Sequence, residues 1–133
     1  MPVYTCTTAE GTLGGAVKAE LAREITRIHA EINKVPQAYV NVIFTERPPG
    51  DVFVGGAPGT PLIITGWARR GHPQDEITRL AQELASAAAR ISGVEERHLL
   101  VVIQDSPARS AVEGGLVLPE PGHEEEWLRQ VEG

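Results

Sequence analysis

The sequence predicts an α/β (α+β) chain in which two tandem β-α-β units share one four-stranded sheet, with both helices on one face. Three observations carry this. Short β-branched runs alternate with two long amphipathic segments. Pro and Gly stand at the junctions between them. A shift of 59 positions lays the second half over the first, pairing Pro2 with Pro61, Leu21 with Leu80, Ile25 with Leu84, Ile32 with Ile91, Val35 with Val94 and Val42 with Val101.

The first strand runs from Pro2 to about Thr8, and the Gly-containing loop "AEGTLGG" follows. In "AVKAELAREITRIHAEIN" the apolar residues Val17, Leu21, Ile25, Ile28 and Ile32 are spaced four, four, three and four apart. That spacing is one face of a helix. "VPQ" ends it, because proline cannot continue the hydrogen-bond ladder. "AYVNVIFTE" is the second strand. The second unit repeats the order: strand "PLIITGWA", helix "HPQDEITRLAQELASAAARIS" with Gly93 as its stop, and strand "RHLLVVIQD". Each crossover is expected to be right-handed. With both helices on one face, the other face is left apolar and open, so the chain should oligomerise with closed symmetry.

Two stretches are expected to stand outside the repeat. "RPPGDVFVGGAPGT" is expected to form a hairpin or excursion, and residues 106–133 a tail. The tail reads as a short helix or turn, a strand-like "LVLP" and an acidic terminal turn. Residues 1–133 are thus expected to form one domain, with repeat units 2–59 and 60–105.

Composition narrows the function. A formal net charge of −6 offers no basic field for a phosphate backbone, so nucleic acid is not an expected partner. Small anions need only a local pair of cations and stay possible. Cys6 is the only cysteine. It permits no intrachain disulfide and no cysteine-built metal site, which fits a reducing cytoplasm. "PVYTCTTAEG" is too short and polar for a secretory leader, and no apolar run reaches membrane length.

The repeat also exposes what each half carries alone. Pro61 is an internal amide, whereas Pro2 becomes a free secondary amine if Met1 is removed. An N-terminal amine can serve as base or nucleophile. His29 lies beside the apolar stripe of the first helix where the second has Ala88. A boundary histidine satisfied by a carbonyl is the plainer reading, and a functional ring the sharper one. Arg69 and Arg70 follow the third strand, where their counterparts are Glu10 and Gly11. Paired loop arginines are commonly a solvated surface, yet carboxyl ends of parallel strands are where open α/β sheets bind ligands. Arginine there can hold a carboxylate through two parallel hydrogen bonds, with His72 as a further donor. Glu113, before a Gly pair, reads first as a turn residue. His123 lacks the second histidine a zincin helix needs, since Trp127 stands there.

The segments "PVY", "AREITRIHAEI", "VNVIFTERPPGDVFVGG", "HLLVVIQDSPA" and "LPEPGHEEEW" span nearly the whole chain. On these the sequence resembles the tautomerase superfamily, in its cis-3-chloroacrylic acid dehalogenase-like branch. The resemblance implies a cofactor-free homotrimer with the amino-terminal proline in a pocket, acting on a small 2-oxo or unsaturated carboxylic acid. Residue by residue it implies Pro2 as the catalytic proline and His29 as a ring that contacts substrate and helps position water. It implies Arg69 as the first carboxylate-binding arginine, and Glu113 as the glutamate that helps activate water. Two positions depart from the pattern. The branch's second arginine is His72 here, with Arg70 as a possible substitute cation. Its water-positioning tyrosine is Val102.

A hydratase needs a firmly clamped carboxylate and an oriented water. Losing a bidentate arginine and a water-holding hydroxyl should each cost on the order of 1–3 kcal/mol. Keto–enol tautomerisation asks only for a base of suitable pKa and one cation near the developing oxyanion. The expected activity is therefore tautomerisation of a 2-oxo acid such as phenylpyruvate. Dehalogenation or hydration of a cis-3-haloacrylate and an idle trimeric binding protein are the alternatives.

Overall fold

The computed structural model describes residues 1–133. Strand β1 (Val3–Ala9) leads into helix α1 (Gly15–Asn33) and strand β2 (Asn41–Arg47). A small hairpin, β3 (Phe53–Val54) and β4 (Ala57–Pro58), precedes strand β5 (Leu62–Arg69), helix α2 (Gln74–Ser92) and strand β6 (Leu99–Ser106). A second hairpin, β7 (Val112–Glu113) and β8 (Leu116–Val117), and helix α3 (Glu124–Glu132) complete the chain.

The four long strands form one sheet in the order β2-β1-β5-β6. β1 runs parallel to β2 and β5 parallel to β6, as β-α-β crossovers require. The two units meet through the antiparallel β1–β5 pair, in which Val3 lies opposite Trp67 and Tyr4 opposite Gly66. That antiparallel joint matters for function, because it sets the beginning of β1 beside the end of β5.

Period-two alternation then divides the strands. Tyr4, Cys6, Leu62 and Ile64 point to the helices and are buried with Leu21, Ile25, Leu80 and Leu84. Burial also pushes the Cys6 thiol up to about 12, which makes it an inert core group. On the opposite face Val3, Ile43, Leu100 and Val102 are 37–54% exposed. Threonines share that face with them, so it is half apolar rather than wholly so.

The 59-residue repeat runs further than the sequence reading placed it. The excursion after β2 and the tail after β6 are copies of each other. In both, a single 3-10 turn (Pro49–Asp51, Ala108–Ser110) precedes a two-by-two hairpin. Both hairpins turn on Gly-Gly with φ of 61° and 82°, the left-handed pair that a tight hairpin turn requires. The second unit thus reaches Val117 instead of stopping at residue 105. The acidic terminal turn is also corrected: it is a nine-residue helix that buries Trp127. α3 is the one helix without a counterpart in the first unit.

Candidate active site

The β1–β5 joint gathers the predicted residues. Two positions beyond the Val3–Trp67 pair stand Met1 and Arg69. With Met1 attached, the Pro2 nitrogen is an amide; Pro2 itself is fully buried. Its carbonyl accepts hydrogen bonds from the Asn41 backbone and side-chain amides, both at 3.1 Å, which fixes the entry to β1.

Met1 is only 3% exposed. Its side chain packs in a small apolar cluster with Val35, Ala108, Leu118 and Trp127. The terminal ammonium donates to the Tyr39 carbonyl. It also lies 2.9 Å from Glu113 Oε1 in an ion pair, though off the line that a hydrogen bond needs. Burial lowers its pKa, Glu113 opposes that, and Arg69 adds a smaller push downward. The surroundings at the head of β1 therefore disfavour a charged amine, apart from one carboxylate.

The carboxyl-terminal segment covers Met1. Trp127 donates its indole N–H to the Val117 carbonyl at 3.0 Å and meets Tyr39 edge-on, with ring centroids 5.3 Å apart. Pro121 packs against Gly71, which has a φ of 128° and no room for a larger residue. Sequence reasoning placed neither Trp127 nor Tyr39 beside Met1; the unusual "PGHEEEW" string was the one signal for Trp127, and Tyr39 had none.

Arg69 is 4% exposed at the end of β5. It donates from Nη1 to the Pro119 carbonyl at 2.6 Å and from Nη2 to Glu124 Oε1 at 2.9 Å. Guanidinium carries five N–H donors, so three are not used by these two bonds. Glu124 was not among the residues singled out from sequence. Its other oxygen accepts from the Gly122 amide at 2.8 Å, closing the first turn of α3.

The remaining predicted residues divide. Arg70 points the other way, 61% exposed and paired with Asp105 at 3.0 Å; it does not join Arg69. His72 stays nearby but shares a contact of 3.1 Å with Glu76 on α2. Val102 lies mid-strand on the open sheet face opposite Thr65, whereas Arg69 pairs with Ser106 four residues further on. Within one chain that position cannot reach the pocket.

His29 is buried, with both ring nitrogens taken. Nδ1 lies 2.7 Å from the Tyr4 hydroxyl and Nε2 lies 3.3 Å from the Asn33 amide nitrogen. As placed, Asn33 donates to Nε2, so the ring proton sits on Nδ1 and goes to the Tyr4 oxygen. Burial, with help from His72, the terminal ammonium and Arg69, lowers the His29 pKa to about 3. The ring is thus a neutral, satisfied core group at neutral pH. This is the plainer of the two readings the sequence offered, with a tyrosine and an asparagine in place of a carbonyl. Tyr4 reaches His29 by lying across Gly66, the residue opposite it in β5.

Comparison with known proteins follows this geometry. The family model described as "Putative oxalocrotonate tautomerase enzyme" matches residues 1–132. The crystal structure of native Ps01740 shares 34% identity at a TM-score of 0.82, covering 84% of this chain and 99% of that one. N1, described as a member of the cis-3-chloroacrylic acid dehalogenase family, shares 28% identity at a TM-score of 0.92, covering 96% and 90%. A fused 4-OT described as a symmetric trimer has the same fold, with a TM-score of 0.74 at 20% identity, covering 80% and 86%. No curated protein sequence matches the chain.

Proposed function

The chain belongs to the oxalocrotonate tautomerase-like family that its residues 1–132 match, and on that premise we propose that it is a tautomerase interconverting the enol and keto forms of a 2-oxo acid such as phenylpyruvate. Pro2 is the base, freed by removal of Met1, and no cofactor takes part. The observation that carries this reading is the burial at the head of β1: Pro2 is fully buried, and burial is the largest influence on the neighbouring Met1 amine, lowering its pKa. After removal of Met1 the same surroundings would press the Pro2 ammonium toward its basic, neutral form.

The steps balance as follows. The Pro2 nitrogen takes the proton of the enol hydroxyl, and the oxygen's electron pair becomes the C2 carbonyl. The C2–C3 double bond gives its electrons to C3, which receives the proton back from the Pro2 ammonium. Arg69 holds the carboxylate with its three unused N–H donors. Removing Met1 also empties the space between Val35, Ala108, Leu118 and Trp127, where the substrate's apolar part would lie.

A spectroscopic assay of enol ketonisation tests the proposal, with intact mass confirming loss of Met1. General-base catalysis contributes about 100- to 10,000-fold, so Pro2→Ala should lose at least the lower figure. A Pro2→Ala protein as active as the parent overturns it.

One observation favours a second reading. The Glu113 carboxylate lies 2.9 Å from the terminal amine, a position from which it could keep Pro2 protonated and draw a proton from water. That suits hydration or dehalogenation of a cis-3-haloacrylate, with Pro2 as acid. Halide release separates the two. So does pH: a rate lost above the Pro2 pKa marks the acid, and one lost below it the base.

Assembly completes the proposal. The half-apolar sheet face needs a partner, and we read it as the inner surface of a homotrimer, by likeness of fold to the fused 4-OT trimer. No helix is long and apolar enough to cross a membrane. A cytoplasmic location is part of the proposal and rests on the lone buried cysteine.

A further inference from the structure

Around the head of β1 and the end of β5, four cationic or basic groups each face a carboxylate. The terminal amine faces Glu113, Arg70 faces Asp105, and His72 faces Glu76. Arg69, the only buried guanidinium, faces Glu124, whose side chain is 13% exposed. The Arg69–Glu124 pair differs from the rest in that both of its side chains are largely buried. Its carboxylate is also held on both sides, by Arg69 Nη2 at 2.9 Å and by the Gly122 amide at 2.8 Å.

We propose that Glu124 determines specificity at this site, by holding Arg69 from its terminal nitrogens and cancelling its charge, so that the pocket takes 2-oxo acids with one carboxylate and rejects those with two. The inference deepens the reading of a 2-oxo acid site and rests on it. One carboxylate can still be bound through hydrogen bonds from Arg69's three free N–H groups, which need no excess charge nearby. A second carboxylate entering the same chamber finds no unpaired cation and two fixed carboxylates, Glu113 and Glu124. Glu124 acts on the ligand through Arg69 and through its own charge, so it is a positioning residue and not a catalytic one.

The test is binding, which does not depend on turnover. Pyruvate and 2-oxomalonate differ by a methyl group in one and a second carboxylate in the other. Calorimetric titration of the Met1-free protein should show pyruvate binding more tightly than 2-oxomalonate. Glu124→Gln keeps the side-chain shape and removes one charge. It should shift the ratio of the two affinities toward the dianion by about tenfold, the scale of one charge at close range in a partly screened pocket. Glu125→Gln, an exposed change on the same helix, should leave the ratio alone. A ratio unchanged in Glu124→Gln overturns the inference, as does an equal shift in Glu125→Gln or an equal weakening of both ligands. Should Glu124→Gln fail to fold, the parent decides: 2-oxomalonate bound as tightly as pyruvate refutes the proposal. Failure of the tautomerase reading shows separately, as an active Pro2→Ala protein.

Discussion

Replacing Gly66 by alanine should damage the protein well beyond what one methyl group suggests. A Cβ at this position would lie 2.7 Å from Tyr4 Cδ1 and 3.1 Å from Cζ, with Cε1 closer still. Restoring an ordinary carbon contact means moving the ring by roughly 1 Å. Tyr4 is 1% exposed, and its hydroxyl sits 2.7 Å from His29 on α1. The ring has no free space to enter, and a shift of this size breaks that bond. Overpacking costs about 1–3 kcal/mol. Leaving a buried donor and acceptor unmatched costs a further 1–3 kcal/mol or so. Gly66→Ala should therefore destabilise by about 2–6 kcal/mol, and Tyr4→Phe, which loses only the hydrogen bond, by about 1–3 kcal/mol. The bond can be lost only once. The double variant should thus fall short of the sum by about 1 kcal/mol, as residues in direct contact do. Urea unfolding followed by tryptophan fluorescence, at one fixed protein concentration, measures all three variants. Gly66→Ala within about 0.5 kcal/mol of the parent, the level of an inconsequential surface change, refutes the reasoning.

Stability should also depend on acid through His29. Its pKa is about 3 in the folded protein, chiefly from burial, and near 6.5 when unfolded. Between these values the unfolded chain binds the extra proton, so stability falls as pH drops through that window, by up to roughly 1.4 kcal/mol per pH unit. His29→Gln, measured by denaturant unfolding at several pH values, should flatten that slope; an unchanged slope assigns it to other groups. On the open sheet face, Leu100→Asp places a charge on a residue that is 54% exposed in the single chain. It should convert the assembly to monomers in sedimentation while leaving the helical circular dichroism intact. An oligomer of unchanged size would remove this face from the interface.

The long elements were legible in the sequence because their signals are periodic. The α1 stripe from Val17 to Ile32 and the β-branched strands need only local spacing to be recognised. Gly93 shows the same point at a helix end, with the positive φ of 77° expected of a C-terminal glycine. α1 instead ends on Lys34 at φ 56°, a position that no residue preference announces. The hairpin expected in "RPPGDVFVGGAPGT" is there as β3 and β4, whereas of the second only the strand-like "LVLP" was read, because each strand is two residues long, too short to alternate. Their shared Gly-Gly turns were the one readable sign that both belong to the repeat. Within the site, the Met1 amine next to Pro2 lies against Glu113, and Arg69 is close enough to act on its charge. Strand alternation alone could have separated Arg69 from Arg70, since neighbours on a strand face opposite ways. The Arg69–Glu124 pair spans 55 residues and joins a strand end to a helix start. No local pattern encodes such a contact. For His29, alanine at the matching place in α2 left both a satisfied ring and a functional one open; its partners Tyr4 and Asn33 come from the facing strand and the next turn of α1, and neither was signalled by the helix stripe.

Met1 lies beneath Trp127 and Leu118, residues that the ribosome adds more than a hundred positions later. At a synthesis rate of about 5–20 residues per second, the amino end is outside for roughly ten seconds before the helix that covers it exists. After α3 docks, the bond between Met1 and Pro2 lies inside the protein, out of reach of an aminopeptidase. The order in which the two ends are made thus decides whether Pro2 ever carries a free amine. On the proposed mechanism, a chain that folds too early would keep its methionine and stay inert, with the same fold.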